Sequence, residues 1–427
     1  MNHPNRRIIP LLERIHRGRG KKLETEDLNQ FEVLLIDSCP RSSFRKGLKQ
    51  MRHGTNIQTL AINREQDQAH RKRTYREISH LFDTLQTLPH LTTIHFLHCD
   101  NERDDLPLLT KYLLLSSPSP TAAPSLLLSQ SPSPSERSHT KHISVAVCHQ
   151  KLKEIRINAN TISAELMQVL STLPNLEILS LQAQTTPMEP LSFLPLLESS
   201  SLKRLCVYLM ANQRYVGSPI QELIRVLGRN SDKSQSRLAA LELRLNSIDR
   251  NVILQDVREL LIDNQTLSEI SLCHGRWRDD DFVDTLWLAI VDVLSSSSTL
   301  THHSPYLQKL VLRLPPNNIP GQKAQVALVN LLKNCNYTLC NLPTLRHYHE
   351  KNKQEGDNGE ILEQINYYLD LNARGRGKVL ANSHSNSKDE WLHHLLQGND
   401  SLDWIYFVLQ SNPAILLLNQ RKPFHCV

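Results

Sequence analysis

Cys335, Cys340, His347 and His349 follow one another in the order a zinc site would use, two thiolates and then two imidazoles. The tight Cys-x-x-Cys pair that would anchor such a site is missing. Both cysteines also fall on positions of a repeat, described below, that carry variable or small residues. The adjacent pairs His302-His303 and His393-His394 point in different directions from either a strand or a helix, so surface positions are expected for them. No Gly-x-Ser-x-Gly, His-Glu-x-x-His, P-loop or Gly-x-Gly-x-x-Gly pattern stands out, and 13 glycines leave little material for a phosphate cradle. The chemistry-bearing residues therefore predict a non-catalytic protein with no metal and no cofactor.

Charge is the other source of chemistry. Lys and Arg number 49 against 43 acidic residues, a formal charge of +6 on 427 residues, which by itself does not imply nucleic-acid binding. Two basic clusters are denser than this average. Arg14-Ile-His-Arg17-Gly-Arg19-Gly-Lys21-Lys22 has the character of a nuclear-import or nucleic-acid segment, or of a solvated N-terminal tail. Arg374-Gly-Arg376-Gly-Lys378 invites the same comparison, although it follows a predicted helix whose C-terminus cations would also complement. The eight cysteines are scattered and several occupy apolar repeat positions, as reduced thiols in a cytosolic protein would. Met1 to Lys22 has no apolar run of signal-peptide length, and the longest nearly apolar stretch, Phe282 to Leu294, contains Asp284 and Asp292 and is too short to span a bilayer. A cytoplasmic location is expected, or a nuclear one if the basic segment is an import signal, with no membrane partner.

The elements that would carry these residues emerge when the chain is laid on itself. Leu85-Gln-Thr-Leu88-Pro89-His-Leu91-Thr-Thr-Ile94-His-Phe96 superposes on Leu170-Ser-Thr-Leu173-Pro174-Asn-Leu176-Glu-Ile-Leu179-Ser-Leu181, apolar positions and proline included. The shared core is a Leu-x-x-Leu-x-Leu block. Further copies begin at Leu152, Leu202, Leu238, Leu267 and Leu307, and weaker ones at Phe31, Ile57 and Leu339, so that about ten repeats are expected. The fourth and sixth residues of a block share one face of an extended segment, which predicts a strand with one buried face. The ninth position holds Cys39, Cys99, Asn160 and Asn246, residues able to turn the chain. Between blocks lie helical patterns, such as Ile162, Leu166, Val169, Leu170 and Leu173, or Val252, Leu254, Val257, Leu260 and Leu261. Each repeat thus reads as strand, turn and helix, an α/β class. The 61 residues from Leu91 to Leu152 exceed one repeat and hold either a degenerate repeat or an inserted loop.

Blocks closed by Asn or Cys with helices between them resemble the ribonuclease-inhibitor-like leucine-rich-repeat family, and the resemblance covers roughly residues 31–345. Asn334-Cys-Asn-Tyr-Thr-Leu339, Ile365-Asn-Tyr-Tyr-Leu369, the Arg374 cluster and Glu390-Trp391 also resemble the end of such arrays. The resemblance implies a leucine-rich-repeat solenoid, a horseshoe with parallel strands on the concave side and helices on the convex side, whose usual role is to bind a partner.

The expected organisation is a basic N-terminal segment (1–30), the repeat array (31–345) and a helical C-terminal cap (346–427). The Ser/Pro-rich stretch 116–142 should leave the array as a disordered loop, with Ser-Pro steps at Ser117, Ser119, Ser131 and Ser133. A solenoid exposes an apolar face at each end. The cap would cover one, through a helix bearing Ile361, Ile365, Tyr368 and Leu369, a second opened by Ser387 and containing Trp391, Leu392, Leu395 and Leu396, and a third from about Ser401 through Trp404, Phe407 and Val408.

Positions three, five and seven of each block point away from the core and form the candidate binding strip. In the central repeats these are Glu154, Arg156, Asn158; Ile178, Ser180, Gln182; Arg204, Cys206, Tyr208; Ala240, Glu242, Arg244; Glu269, Ser271, Cys273; and Lys309, Val311, Arg313. The arginines give a basic bias that the glutamates interrupt. This mixture predicts a protein partner for the scaffold, held by Glu154, Arg156, Asn158, Arg204, Tyr208, Glu242, Arg244, Glu269, Lys309 and Arg313. The alternative is a nucleic-acid-associated regulator using the basic N-terminus and the arginines of the strip.

Overall fold

A computed structural model describes residues 33–36, 58–63, 88, 90–99, 109–110, 113, 151–159, 162–183, 192–209, 219–229, 237–245, 249–262, 266–274, 280–296, 307–314, 320–346, 358–381, 391, 393, 395–396 and 401–411. The chain divides into two compact units, Met1–Pro219 with Ser234–Leu238, and Ile220–Lys233 with Ala239–Val427. Both are α/β, with parallel strands that helices separate in sequence from Glu154 onward.

In the first unit six strands lie in sequence order: β1 (Val33–Ile36), β2 (Thr59–Asn63), β3 (Thr93–Cys99), β4 (Glu154–Ala159), β5 (Ile178–Ala183) and β6 (Arg204–Leu209), each pairing in parallel with the next. Every strand starts on the third residue of a Leu-x-x-Leu-x-Leu block or within it. The pairing aligns equivalent positions, so Ile94, Ile155, Leu179 and Leu205 form one row and Phe96, Ile157, Leu181 and Val207 the next. All eight are buried. Alternation at period two puts them on one face, and parallel register stacks them into an apolar ladder.

The same backbone bond recurs at each step. The carbonyl at block position two accepts N–H groups from positions two and three of the next block: Gln58 from Thr92 and Thr93, Thr92 from Lys153 and Glu154, Lys153 from Glu177 and Ile178, and Glu177 from Lys203 and Arg204, all at 2.8–3.1 Å. Because β3 pairs directly with β4, the long stretch between Leu91 and Leu152 places no strand between them. It is an insertion into the repeat spacing. One irregularity marks this junction, a register shift between Phe96 and Cys99 that brings Cys99 opposite Ala159.

Behind the strands lie α1 (Ala164–Ser171) and α2 (Leu194–Leu197). Ser163 caps α1, its hydroxyl accepting the Leu166 N–H at 3.2 Å. The expected apolar stripe of Ile162, Leu166, Val169, Leu170 and Leu173 is buried, joined by Met167.

The second unit contains α3 (Pro219–Arg229, from Ile220 on), β7 (Ala240–Leu245), α4 (Arg250–Ile262), β8 (Glu269–His274), α5 (Asp280–Ser296), β9 (Lys309–Arg313) and α6 (Gln322–Asn334). β7, β8 and β9 again pair in parallel and in block register. Ala239 accepts from Ser268 and Glu269, and Ser268 from Gln308 and Lys309. Gln308 in turn accepts from Cys340 and Asn341 at 2.8 and 3.0 Å, so the weak block at Leu339 continues the pattern as a single bridge, Lys309 to Asn341. On α4 the buried stripe is Ile253, Val257, Leu260 and Leu261. Val252 and Leu254, expected to be apolar contacts, are half-exposed, because the step of four that reaches Val257 begins at Ile253.

Beyond α6 come α7 (Asn358–Ala373), α8 (Arg376–Ala381) and α9 (Leu402–Ser411). α7 packs on α6. Its buried line is Leu362, Ile365 and Leu369 with Leu371 and Asn372, whereas Ile361 and Tyr368 of the expected face are half-buried. Leu371, Val379, Trp391, Trp404 and Val408 form one cluster, flanked by Tyr367, Tyr368, Leu395 and Phe407. Ser401 caps α9 by accepting the Trp404 N–H.

The expected segments 1–30 and 116–142, the ninth-position residues Cys39, Asn160 and Asn246, and His302, His303, His347, His349 and His394 lie outside the described residues. No helix among the described residues is long and apolar enough to cross a membrane.

Candidate functional site

In both units the strand face opposite the apolar ladder is built from block positions three, five and seven. In the first unit the register sets Thr93, Glu154, Ile178 and Arg204 side by side, then His95, Arg156, Ser180 and Cys206, then Asn158, Gln182 and Tyr208. Glu154 is the hub of the charged part. It accepts the Arg156 Nε–H at 2.5 Å along its own strand and meets His95 Nε2 at 3.3 Å across the ladder. The hydrogen bond with His95, aided by Arg156 and opposed by burial, holds its carboxyl below the usual range. Arg156 stays half in solvent and is oriented rather than buried by this contact. Asn158 and Tyr208 are half-buried at the carboxyl ends of their strands, and the Asn158 Oδ1 is buried without a hydrogen-bond partner among the described residues.

The second unit repeats the arrangement with different chemistry. Its rows are Ala240, Glu269, Lys309; Glu242, Ser271, Val311; and Arg244, Cys273, Arg313. Lys309 Nζ donates to Glu269 at 2.7 Å across one ladder step. Arg313 reaches further, pairing with Glu242 two strands away and crossing β8. Beside that crossing Ser271 is only 5% exposed and its hydroxyl has no hydrogen-bond partner among the described residues. Arg244 makes no ion pair among the described residues. Cys273 lies between Arg244 and Arg313 in its row. Burial pushes its thiol up, while both guanidiniums pull it down.

All ten residues expected in the strip lie on this face of the strands, five in each unit. Three of the outward positions, Cys206, Ala240 and Ser271, are buried. His95 was not among the expected contacts. Its signal was present, because it occupies position five of the block at Leu91 and so sits beside Arg156.

The face is also less cationic than the arginine count suggests. Arg156, Lys309 and Arg313 each engage a glutamate. A phosphate backbone would meet alternating sign rather than a continuous positive stripe. The basic cluster at Arg374 departs further from its sequence appearance. Arg376 is buried and donates to the Leu332 and Lys333 carbonyls at 2.7 and 2.6 Å, the C-terminus of α6. Its guanidinium lies 4.9 Å from the ring centres of both Tyr337 and Tyr368. It therefore complements a helix C-terminus, as expected of this cluster, but the helix is α6 rather than the one preceding it in sequence.

Cys335 and Cys340 are both half-buried, and the Cys340 thiol donates to the Gln308 carbonyl. Among the described residues no three His, Cys, Asp or Glu side chains group as metal ligands. His393 is exposed. No protein-family model matches the chain, and no curated protein matches it.

Proposed function

We propose that this chain is a non-catalytic interaction scaffold, a leucine-rich-repeat solenoid of the ribonuclease-inhibitor-like kind, that binds a protein partner through the outward face of its strands. One observation carries the reading: block positions three, five and seven stand in adjacent rows by parallel register, mixing opposed charges, amides, a tyrosine and small side chains on a rigid sheet. Protein surfaces offer the same mixture, and a face with both signs selects a partner by charge pattern rather than by net attraction. The recurrent position-two carbonyl supports the repeat, since it recurs from Gln58 to Gln308.

Affinity capture with the native chain, followed by charge reversal at Arg204 and Arg244, tests the assignment. The expected result is a partner retained by the native chain and lost from the double variant. Binding that survives both reversals places the interface elsewhere. Titration of mixed-sequence duplex DNA and of single strands against salt tests the nucleic-acid alternative, and tight binding that weakens steeply with salt would replace the protein-partner reading.

A further inference from the structure

The carboxyl end of the β7–β9 strand face differs from the rest of that face. Its row reads Arg244, Cys273, Arg313, two guanidiniums on either side of a small thiol with no acid in the row. Adjacent strands lie about 4.8 Å apart, so the two arginine Cα atoms are about 10 Å apart, a span that two long side chains close from both sides. Arg313 crosses β8 to reach Glu242, which stands two residues before Arg244 on β7, so its guanidinium lies on the Arg244 side of the row. Arg313 spends one N–H edge on Glu242 and keeps more than half of its side chain in solvent, with further donors available. Next along the strand, Ser271 presents a buried hydroxyl with no hydrogen-bond partner among the described residues. An unpaired buried hydroxyl is costly and is retained most readily where something else completes it.

We infer that Arg244 and Arg313, converging over Cys273, form an anion subsite that takes a side-chain carboxylate of an acidic segment in the protein partner. This rests on the strand-face reading above and names the chemistry recognised there. The carboxylate accepts from the guanidinium forks, and the short thiol leaves it room between them. Ser271 supplies a further donor beside it. Glu242 keeps the subsite selective. It holds Arg313 in place and repels a polyanion that approaches along the row, which favours an isolated carboxylate over a run of phosphates.

Cys273 itself reports on the subsite. The full chain is alkylated under subsaturating conditions with a mixture of iodoacetate and iodoacetamide, and the two adducts at Cys273 are counted by mass spectrometry. The reference is the same ratio in the urea-unfolded chain. The anionic reagent should be favoured about five- to tenfold in the folded protein, and the preference should vanish in Arg244→Gln and in Arg313→Gln. An unchanged ratio on folding, or one indifferent to both substitutions, overturns the inference. Thermal melts of both variants confirm that they fold, and either one suffices.

The second arm protects Cys273 from iodoacetamide with a peptide carrying a single glutamate, with inorganic phosphate or with mixed-sequence duplex DNA. Protection by the peptide that depends on Arg244 supports a carboxylate ligand. Protection by phosphate or DNA at equal charge, without the peptide, overturns it in favour of a phosphate ligand. If Cys273 shows no anion preference while a captured partner is still lost on Arg156→Glu or Tyr208→Ala, the subsite falls and the strand-face reading stands.

Discussion

Arg313 pairs with Glu242 across the full width of β8, passing over Ser271. Two residues on non-neighbouring strands thereby link the outward face of three repeats, and the small serine beside the bridge is buried with no hydrogen-bond partner among the described residues. Such a bridge is half-exposed at its arginine end, so it orients side chains more than it stabilises the fold.

Arg313→Ala and Glu242→Ala should each cost about 1 kcal/mol or less in a urea melt, with a coupling of a few tenths in the double-mutant cycle. A coupling above about 3 kcal/mol would mean that the pair is part of the core and is not available to a partner. Ser271→Ala removes a buried unsatisfied hydroxyl and should be neutral or slightly stabilising. A loss of more than about 1 kcal/mol at Ser271 would show that its hydroxyl has a partner in solution.

Arg376 presents the opposite balance. It is buried, carries two hydrogen bonds to the C-terminus of α6 and packs between Tyr337 and Tyr368. Arg376→Ala leaves those carbonyls unsatisfied and should cost about 3 kcal/mol. Arg376→Lys should recover less than half of that, since an ammonium cannot fork between two carbonyls or stack between two rings. Hydrogen exchange at the end of α6 should rise in both variants. Full rescue by lysine would reduce the residue's role to simple charge.

The start of α6 depends on Asp284, whose carboxylate accepts the Gly321 N–H from the neighbouring α5. A Cβ at Gly321 would come within 2.5 Å of the Asp284 Oδ2. Gly321→Ala should therefore lose about 1–2 kcal/mol, the value of a helix N-cap, by pushing the carboxylate aside. Asp284→Ala should cost a similar amount, and the double variant little more than either single one. Additive losses would separate the two residues into independent roles.

What could be read in the sequence and what could not divide along physical lines. The strands were legible because Ile155 and Ile157, or Ile270 and Leu272, alternate with polar residues at a period that no helix shares. The outward residues followed from the same alternation. Helix faces were less secure, as Ile253 shows: apolar Val252, Ile253 and Leu254 are consecutive, and only packing decides which of them turns inward. The pairing of Arg313 with Glu242 was not legible, because stacking neighbouring blocks predicts contacts between adjacent strands and this one skips a strand. Arg376 misled for a related reason. A Gly-Arg-Gly context suggests solvent, and nothing local announces that the end of α6 and two tyrosines converge on it.

Asp256 on α4 supplies the pH dependence. Burial, reinforced by Glu259 and opposed by Arg225 and a hydrogen bond from Gln221, raises its carboxyl to about 6. A folded-state value above the unfolded one means that the folded chain holds the proton more tightly. The resulting stability is complete below about pH 4 and is lost as pH rises through about 6. Asp256→Asn should therefore be more stable than the native chain at pH 7, by about 1–2 kcal/mol after allowance for solvent screening, and should remove that part of the pH slope. Equal slopes in the two proteins would assign the effect to another group.

The insertion between β3 and β4 yields the most direct test of the repeat arrangement. Thr92 accepts the Lys153 N–H at 2.8 Å and the Glu154 N–H at 3.1 Å, so the strands on either side of the insertion are bonded as closely as any other pair. The ladder pairs Ile94 with Ile155 and Phe96 with Ile157 are buried. Lengthening or shortening a connection changes closure entropy only by the logarithm of its length, a few tenths of a kcal/mol here. Deleting 116–142 should therefore leave the thermal midpoint nearly unchanged. A large fall would show that the segment packs on the sheet, and the cost of its removal would then measure that packing.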